Sequence, residues 1–329
     1  MQLVINTYGT YLHKVGDCFE VKVNDQKQQV SVHKIDSIMV TTGASLSTDA
    51  IELAMQHNID LVFLDGFGNP YARVWQSKLG STTLIRRKQL ELAETEQGLA
   101  LVIGWIKQKL DNQMEFLQEL ARHREPQQDY LSECCNKIAT SGQKLDTLNG
   151  TIEDKRHDIL GIEGSSGRTY FTALSELIPK RFQFNGRSRQ PAKDEFNAML
   201  NYSYGILYSL VEKACIIAGL DPYVGFLHTD NYNKMSLVFD LIEPYRAIGD
   251  QTVFYLFSKR QVKKEYFDEI KNGMTLNKEG KQVLIAAFNE RMEKRIRYKG
   301  RNIQQKDVIQ FDCHKLANQL IGKKQRKRE

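Results

Sequence analysis

The chain has 329 residues, 41% of them hydrophobic and 26% charged, and its 46 Lys and Arg against 40 Asp and Glu give a net charge of +6. That balance excludes a disordered or fibrous chain and leaves room for a substantial core and two domains. The positive excess is modest but unevenly placed: six of the eleven residues in 291–301 and five of the eight in 322–329 are Lys or Arg. Such clusters suit a polyanion such as nucleic acid, or a solvated helix face and a polar tail.

In chain order, 1–75 reads as strands. Leu3, Val4 and Ile5 form a short apolar run, Phe19, Val21 and Val23 alternate with Glu20 and Lys22, and Val30 and Val32 alternate with Gln29 and Ser31. The runs 38–40 and 61–64 read as fully buried strands, and 65–70 as a turn into a last strand through Val74. One helix interrupts them, with Ser47 as N-cap and Ala50, Leu53, Ala54 and His57 on one face.

Near Gly80 the period changes to that of helices. Apolar positions 99, 103, 106, 110, 114, 117 and 120 form a stripe over 94–124, and further helices are expected at 128–140, 145–160 and 163–178. The triplet Arg86, Arg87, Lys88 lies in the first helix of this half. The segment 183–193 reads as an exposed loop carrying Arg187, Arg189 and Lys193. The apolar segment 196–211 is interrupted by Asn197, Asn201, Ser203 and Gly205, which makes it a buried core helix and not a membrane span. More helices follow to about Leu320. The expected fold class is α+β, with a small N-terminal β-rich domain (1–80) followed by a larger all-α domain (81–329) that ends in a basic tail.

The five cysteines, Cys18, Cys134, Cys135, Cys215 and Cys313, are odd in number and include no CxxC spacing. This argues against a disulfide framework or structural zinc and for a reducing cytoplasm. No signal-peptide pattern opens the chain. Phosphate-loop, dinucleotide, zinc-protease and serine-hydrolase motifs are absent. The GxxG at 164–167 reads as a helix start before it reads as a clamp for a nucleic-acid backbone.

The chemistry gathers at 225–246, GFLHTDNYNKMSLVFDLIEPYR. His228 ends an apolar run, a position that more often packs than ligates. Asp240 and Glu243 are three apart, on one face if 236–245 is helical. They lie among Leu237, Val238, Phe239, Leu241 and Ile242, where carboxylates need a charged partner or a metal. An imidazole with two carboxylates suits a divalent cation of the Mg²⁺ or Mn²⁺ kind. Glu163, in LGIEGSSGRTYF, is expected in the first turn of a helix, where the dipole favours it, and the neighbouring glycines allow close approach of a substrate backbone.

Taken together, GIEGSSGRTYF, RSRQPAKDEFNAMLNYSYGILY, GFLH and SLVFDLIEPYR resemble the CRISPR-associated integrase family, the larger of the two core adaptation proteins, often described as an endonuclease. The resemblance runs along essentially the whole chain. It implies a metal site of Glu163, His228 and Glu243 binding Mg²⁺ or Mn²⁺, with Asp240 in a supporting role. It also implies a homodimer built through the β-rich domain, two such dimers bridged by the small second adaptation protein, and no membrane association. The implied substrate is a short double-stranded DNA fragment whose 3′-hydroxyl attacks a phosphodiester of the repeat array. Arg86, Arg87, Lys88, Arg187, Arg189, Arg295 and Arg297 are then the candidates for tracking DNA phosphates, which carry little sequence information. Tyr170 and Tyr202 either stack near the substrate or pack in the core. Two other readings are a structure-specific nuclease of DNA repair and a non-catalytic DNA-binding scaffold of the same fold.

Overall fold

The computed structural model describes residues 1–68, 70–74, 83–228 and 234–322. The expected domain boundary at 80, Asn69 of the expected turn and the basic residues of 323–329 lie outside the described residues.

The N-terminal part comprises β1 (Gln2–Ile5), β2 (Thr10–Val15), β3 (Cys18–Val23), β4 (Gln26–Ser31), β5 (Ser37–Val40), β6 (Ala44–Leu46), α1 (Thr48–Gln56), β7 (Asp60–Leu64) and β8 (Pro70–Val74). They build two four-stranded sheets, ordered β1-β5-β7-β8 and β4-β3-β2-β6. In the first, β1, β5 and β7 run parallel and β8 antiparallel. Parallel strands covered on both faces read as continuous apolar runs, as Ile38–Val40 of β5 does. Alternate residues of these strands serve two cores. Ile38 and Leu61 pack with Leu12, Phe19 and Leu53 between the sheets and α1. Met39, Val62 and Leu64 face the other way, into the helical core.

That core is formed by α2 (Thr83–Ala93), α3 (Glu96–Arg122), α4 (Gln128–Gln143), α5 (Ile152–Glu176), α6 (Glu195–Ile217), α7 (Ser236–Leu241) and α8 (Arg246–Ser258). A ribbon of β9 (Phe267–Ile270) and β10 (Gly273–Leu276) follows, then α9 (Lys278–Glu293), a ribbon of β11 (Arg295–Tyr298) and β12 (Arg301–Gln304), and α10 (Gln305–Leu320). The second half is thus mostly helical, with two antiparallel ribbons that an all-α reading does not include. No helix among the described residues is long and apolar enough to cross a membrane.

Two local expectations need correction. The chain does not form two helices over 145–160 and 163–178. α5 is continuous from its Thr151–Asp154 capping box to Glu176. Gly161, Gly164 and Gly167 each cost helix propensity, but burial of Ile159, Tyr170 and Leu174 holds the helix through them. Glu163 is therefore mid-helix, and the helix dipole does not account for its charge. Nor is 236–245 one helix: α7 stops at Leu241, and a separate 3₁₀ turn, Glu243–Tyr245, follows with Pro244 inside it.

Candidate metal centre

Helix α6 is buried on nearly all sides and capped by Asp194, and α7 and α8, which flank the Glu243 turn, pack against it. α3 and α5 run side by side and meet the 3₁₀ turn at Glu243. At that meeting point Lys109 of α3 is 8% exposed and donates to Glu163 Oε1 at 2.5 Å and to Glu243 Oε2 at 2.6 Å. Arg246 Nε donates to the other oxygen, Glu243 Oε1, at 2.8 Å. One turn along α3 from Lys109, Asn112 Nδ2 donates to the carbonyl of Pro244 at 2.6 Å. Two carboxylates 80 residues apart in sequence (243 − 163) thus converge on a single ammonium. Burial pushes the Glu243 carboxyl upward, but Arg246 and Lys109 outweigh it and hold it well below the usual carboxylate range. Burial likewise pulls the Lys109 ammonium down, and Glu243 and then Glu163 more than reverse this.

Asp240 and Glu243 do not act as one acidic pair. Asp240 is 2% exposed, and its carboxylate is turned toward the 226–228 backbone. Oδ2 accepts from the N–H of Phe226 at 2.6 Å and of Leu227 at 3.1 Å, and Oδ1 from the N–H of His228 at 3.1 Å. His228 Nδ1 lies 2.6 Å from Oδ1. A carboxylate only accepts, so Nδ1 carries the proton, and the neutral ring keeps its lone pair on Nε2. Burial lowers the imidazole pKa, but the hydrogen bond and charge of Asp240, with smaller contributions from Glu243 and Glu163, raise it above the ordinary value. The turn is held from two further sides. Arg156 Nε of α5 donates to the Leu227 carbonyl at 3.0 Å, and the buried Gln89 of α2 donates to the carbonyls of Asp221 and Val224 at 2.8 and 2.7 Å. A Cβ on Gly225 would lie 2.4 Å from Ser236 Cβ, so only glycine lets this turn close under α7.

Among the described residues no three His, Cys, Asp or Glu side chains stand close enough together to hold a metal ion. The donor chemistry nevertheless fits a hard divalent cation: two carboxylates and an imidazole with a fixed tautomer are ligands of the Mg²⁺/Mn²⁺ kind. Lys109 marks the place where the carboxylates take a positive charge. Sequence reasoning gave no role to Lys109, Arg246, Arg156 or Gln89. One of them left a readable signal, Arg246 by its i, i+3 spacing from Glu243; Lys109 falls off the apolar stripe read along α3.

Beside the carboxylates lies a cleft of about 420 Å³, lined by Arg187, Arg189, Tyr202, Tyr204, Tyr208, Phe239 and Arg246 among others. Arg246 joins the two, since its guanidinium lies 4.7 Å from the Tyr204 ring centre and donates to the Tyr208 hydroxyl. Arg187 is not the exposed loop residue expected. Its guanidinium turns inward, bonds Asn197 and Asn201 and packs over Phe171 and Tyr204. Arg189 stays exposed, as do Arg86, Arg87, Lys88, Arg295 and Arg297. Arg86 pairs with Asp221 at 3.4 Å and Lys88 with Glu91 at 2.6 Å. Tyr170 and Tyr202 are both buried in the core, and Tyr202 also borders the cleft. Alongside Glu163, Cβ atoms added at Gly161, Gly164 and Gly167 would meet nothing within 4 Å, so one strip of α5 is open.

The model of the family CRISPR associated protein Cas1 matches residues 3–290. The chain belongs to the Cas1 family. A relative named CRISPR-associated endonuclease Cas1 1, from Archaeoglobus fulgidus, is 34% identical over 337 residues, covering 98% of this chain and 97% of its own. Among solved structures, a casposase bound to integration product superposes with a TM-score of 0.82 at 24% identity over 99% of this chain and 92% of that one. A Cas6-RT-Cas1–Cas2 complex gives 0.78 at 21% identity, covering 98% of this chain and 35% of the longer one. At these identities the two structures establish the shared Cas1 fold.

Proposed function

We propose that this chain is a divalent-metal-dependent DNA integrase that inserts short double-stranded fragments into a CRISPR repeat array, and that the same site acts as an endonuclease when water replaces the attacking hydroxyl. The observation that carries this reading is the meeting of Glu163 and Glu243 on one cation beside an imidazole oriented by Asp240. Glu163, His228 and Glu243 would hold Mg²⁺ or Mn²⁺, which when bound supplies polarisation of the phosphoryl group and stabilises charge on the attacking and leaving oxygens.

The chain's own residues do the positioning. Asp240 fixes the 226–228 turn and keeps the His228 proton on Nδ1. Arg246 holds Glu243 and presents its guanidinium to the cleft. The open glycine strip of α5 lets a DNA backbone approach Glu163. The aromatic and arginine-lined cleft suits a single-stranded 3′ end, which stacking and positive charge hold without sequence preference. The 3′-hydroxyl oxygen bonds to phosphorus while the target's P–O3′ bond breaks. The attacker loses a proton and the leaving oxygen gains one. No covalent protein intermediate is needed, so orientation and charge stabilisation dominate.

Exposed Arg86, Arg87, Lys88, Arg189, Arg295 and Arg297 are assigned to phosphate contacts. The division into 1–80 and 81–329 belongs to the same proposal. So does a homodimer through the N-terminal part, where Tyr8, Tyr11, Phe67 and Tyr71 are exposed and would be covered by a partner. The small second adaptation protein would bridge two dimers, a reading supported by the complex named for Cas1 and Cas2. The test is strand transfer of a fragment with free 3′ ends into a supercoiled array plasmid, with and without that small partner. Glu163→Ala, His228→Ala and Glu243→Ala are each expected to lower transfer by on the order of 100-fold or more while leaving most DNA binding intact, and chelation to abolish it until Mn²⁺ is restored. Full activity in all three variants, or undiminished transfer after exhaustive chelation, removes the assignment.

A further inference from the structure

Lys109 has no place in the reaction just described, yet it is the group around which the site is assembled. Its ammonium lies within 2.6 Å of one oxygen from each carboxylate. Its side chain is 10% exposed, that of Glu163 18% and that of Glu243 2%. Arg246 completes the set on the far oxygen of Glu243. Two anions are thus balanced by two cations, and the cluster is neutral as it stands. Buried charge persists only when paired, so the lysine explains how two carboxylates are held together and oriented there. A divalent cation added to the same set would leave an excess of two positive charges in a poorly solvated pocket, next to an ammonium that repels it.

We infer that the Lys109 ammonium and the divalent cation are alternative occupants of the Glu163–Glu243 pair, with Lys109 holding the pair assembled until a metal displaces it. This rests on the metal-centre reading given above and adds to it a resident competitor. Lys109 is a positioning residue, and it sets how tightly the metal binds. Its ammonium is a point charge at the end of four rotatable methylenes, so it can withdraw without moving α3. Arg246 has less freedom, because its guanidinium is also fixed to Tyr208 and packed on Tyr204.

The experiment uses the full-length protein and Mn²⁺ alone. Mn²⁺ binding is followed by electron paramagnetic resonance and melting is measured with and without the ion, for wild type and Lys109→Met. The variant is expected to melt lower than wild type without metal, to bind Mn²⁺ at least tenfold more tightly, and to regain more stability from Mn²⁺ than wild type does. A lysine with a purely structural role would lower melting without tightening Mn²⁺ binding, and that result overturns the inference. Mn²⁺ binding by neither protein overturns the metal-centre reading and this inference with it. Equal affinities in the two proteins overturn the inference alone.

A second measurement needs no variant. Acetylation of Lys109 in wild type, read by mass spectrometry, is expected to rise severalfold when Mn²⁺ is added. Lys107, on the same helix and paired with Asp146, should keep a constant rate and serve as reference. Lys109 labelling that is unchanged at saturating Mn²⁺ overturns the proposal even if the variant fails to fold.

Discussion

Asp250 illustrates how a single buried group can support a site at a cost to stability. It is 1% exposed on α8 and accepts a 2.5 Å hydrogen bond from the hydroxyl of Tyr204, a residue of the cleft wall. Desolvation pushes its carboxyl up to about 6, against the opposing pull of Tyr204, Arg187 and Arg246. The folded pKa lies above the unfolded value of 3.8. The associated stability is therefore fully present below about pH 4 and is lost as pH rises through about 6. A shift of about two units corresponds to roughly 3 kcal/mol at neutral pH. Asp250→Asn keeps the acceptor for Tyr204 without the charge. It is expected to raise the melting temperature at pH 7.5, with the gain shrinking toward zero at pH 4. Calorimetry across that range checks it, and a lower melting point at pH 7.5 would exclude a destabilising charge. At this scale the sequence was legible for residue type only. That Asp240 binds backbone and Glu243 binds cations follows from the helix break before Pro244, which the i, i+3 spacing does not reveal.

At the scale of elements, α3 and α5 act as two rails. α3 carries Lys109 and Asn112, both aimed at the Glu243–Pro244 turn. α5 carries Arg156 and Glu163, two turns apart, so one helix braces the backbone ahead of His228 and also supplies a carboxylate. Loss of such a supporting contact commonly costs 10- to 100-fold in metal affinity or activity. Arg156→Met is expected to lower strand transfer by about that factor with unchanged far-ultraviolet circular dichroism, and wild-type transfer rates would show the brace to be dispensable. The ribbon of β11 and β12 is the other element of interest. Arg295 and Arg297 alternate with Ile296 along β11 and stand exposed. The ribbon is tied to the site turn through Asp312, whose Oδ2 accepts from both Tyr245 and Tyr298. Replacing both arginines by alanine should weaken non-specific DNA binding and reduce the slope of log affinity against log salt by about 2. An unchanged slope removes the ribbon from the DNA footprint. Helical and strand periods made most of these elements readable in advance. The three glycines of α5 misled because propensity is local, while the packing that overrides it is not.

At the scale of the whole molecule, the first sheet is a shared wall. Its alternate side chains enter two cores, and charged contacts reinforce the join. Arg73 of β8 pairs with Glu212 of α6 at 3.1 Å and donates to the Ser209 carbonyl at 2.8 Å, while Asp60 of β7 lies 3.6 Å from its Nε. Nearby, a Cβ on Gly205 would stand 2.3 Å from the Gly68 carbonyl oxygen, so glycine in mid-helix lets the turn after β7 rest on α6. Removing one partner of a buried ionic cluster typically costs about 3–5 kcal/mol. Arg73→Met is expected to destabilise the protein by that order, measured by urea unfolding, and an unchanged midpoint would mean that the apolar contacts alone hold the halves together.

Sequence by itself determined the class of fold, the buried character of α6 and the motifs that point to the Cas1 family, because periodicity, capping and long motifs are properties of neighbouring residues. The tertiary structure decided which carboxylate faces which cation, that Asp240 is committed to the His228 turn, that Arg187 is folded inward, and that Lys109 stands where Glu163 and Glu243 meet. Those facts are set by how separate elements pack: α3, α5 and the Glu243 turn bring Lys109 to the two carboxylates, α7 sets Asp240 against the 226–228 backbone, and α6 draws Arg187 inward.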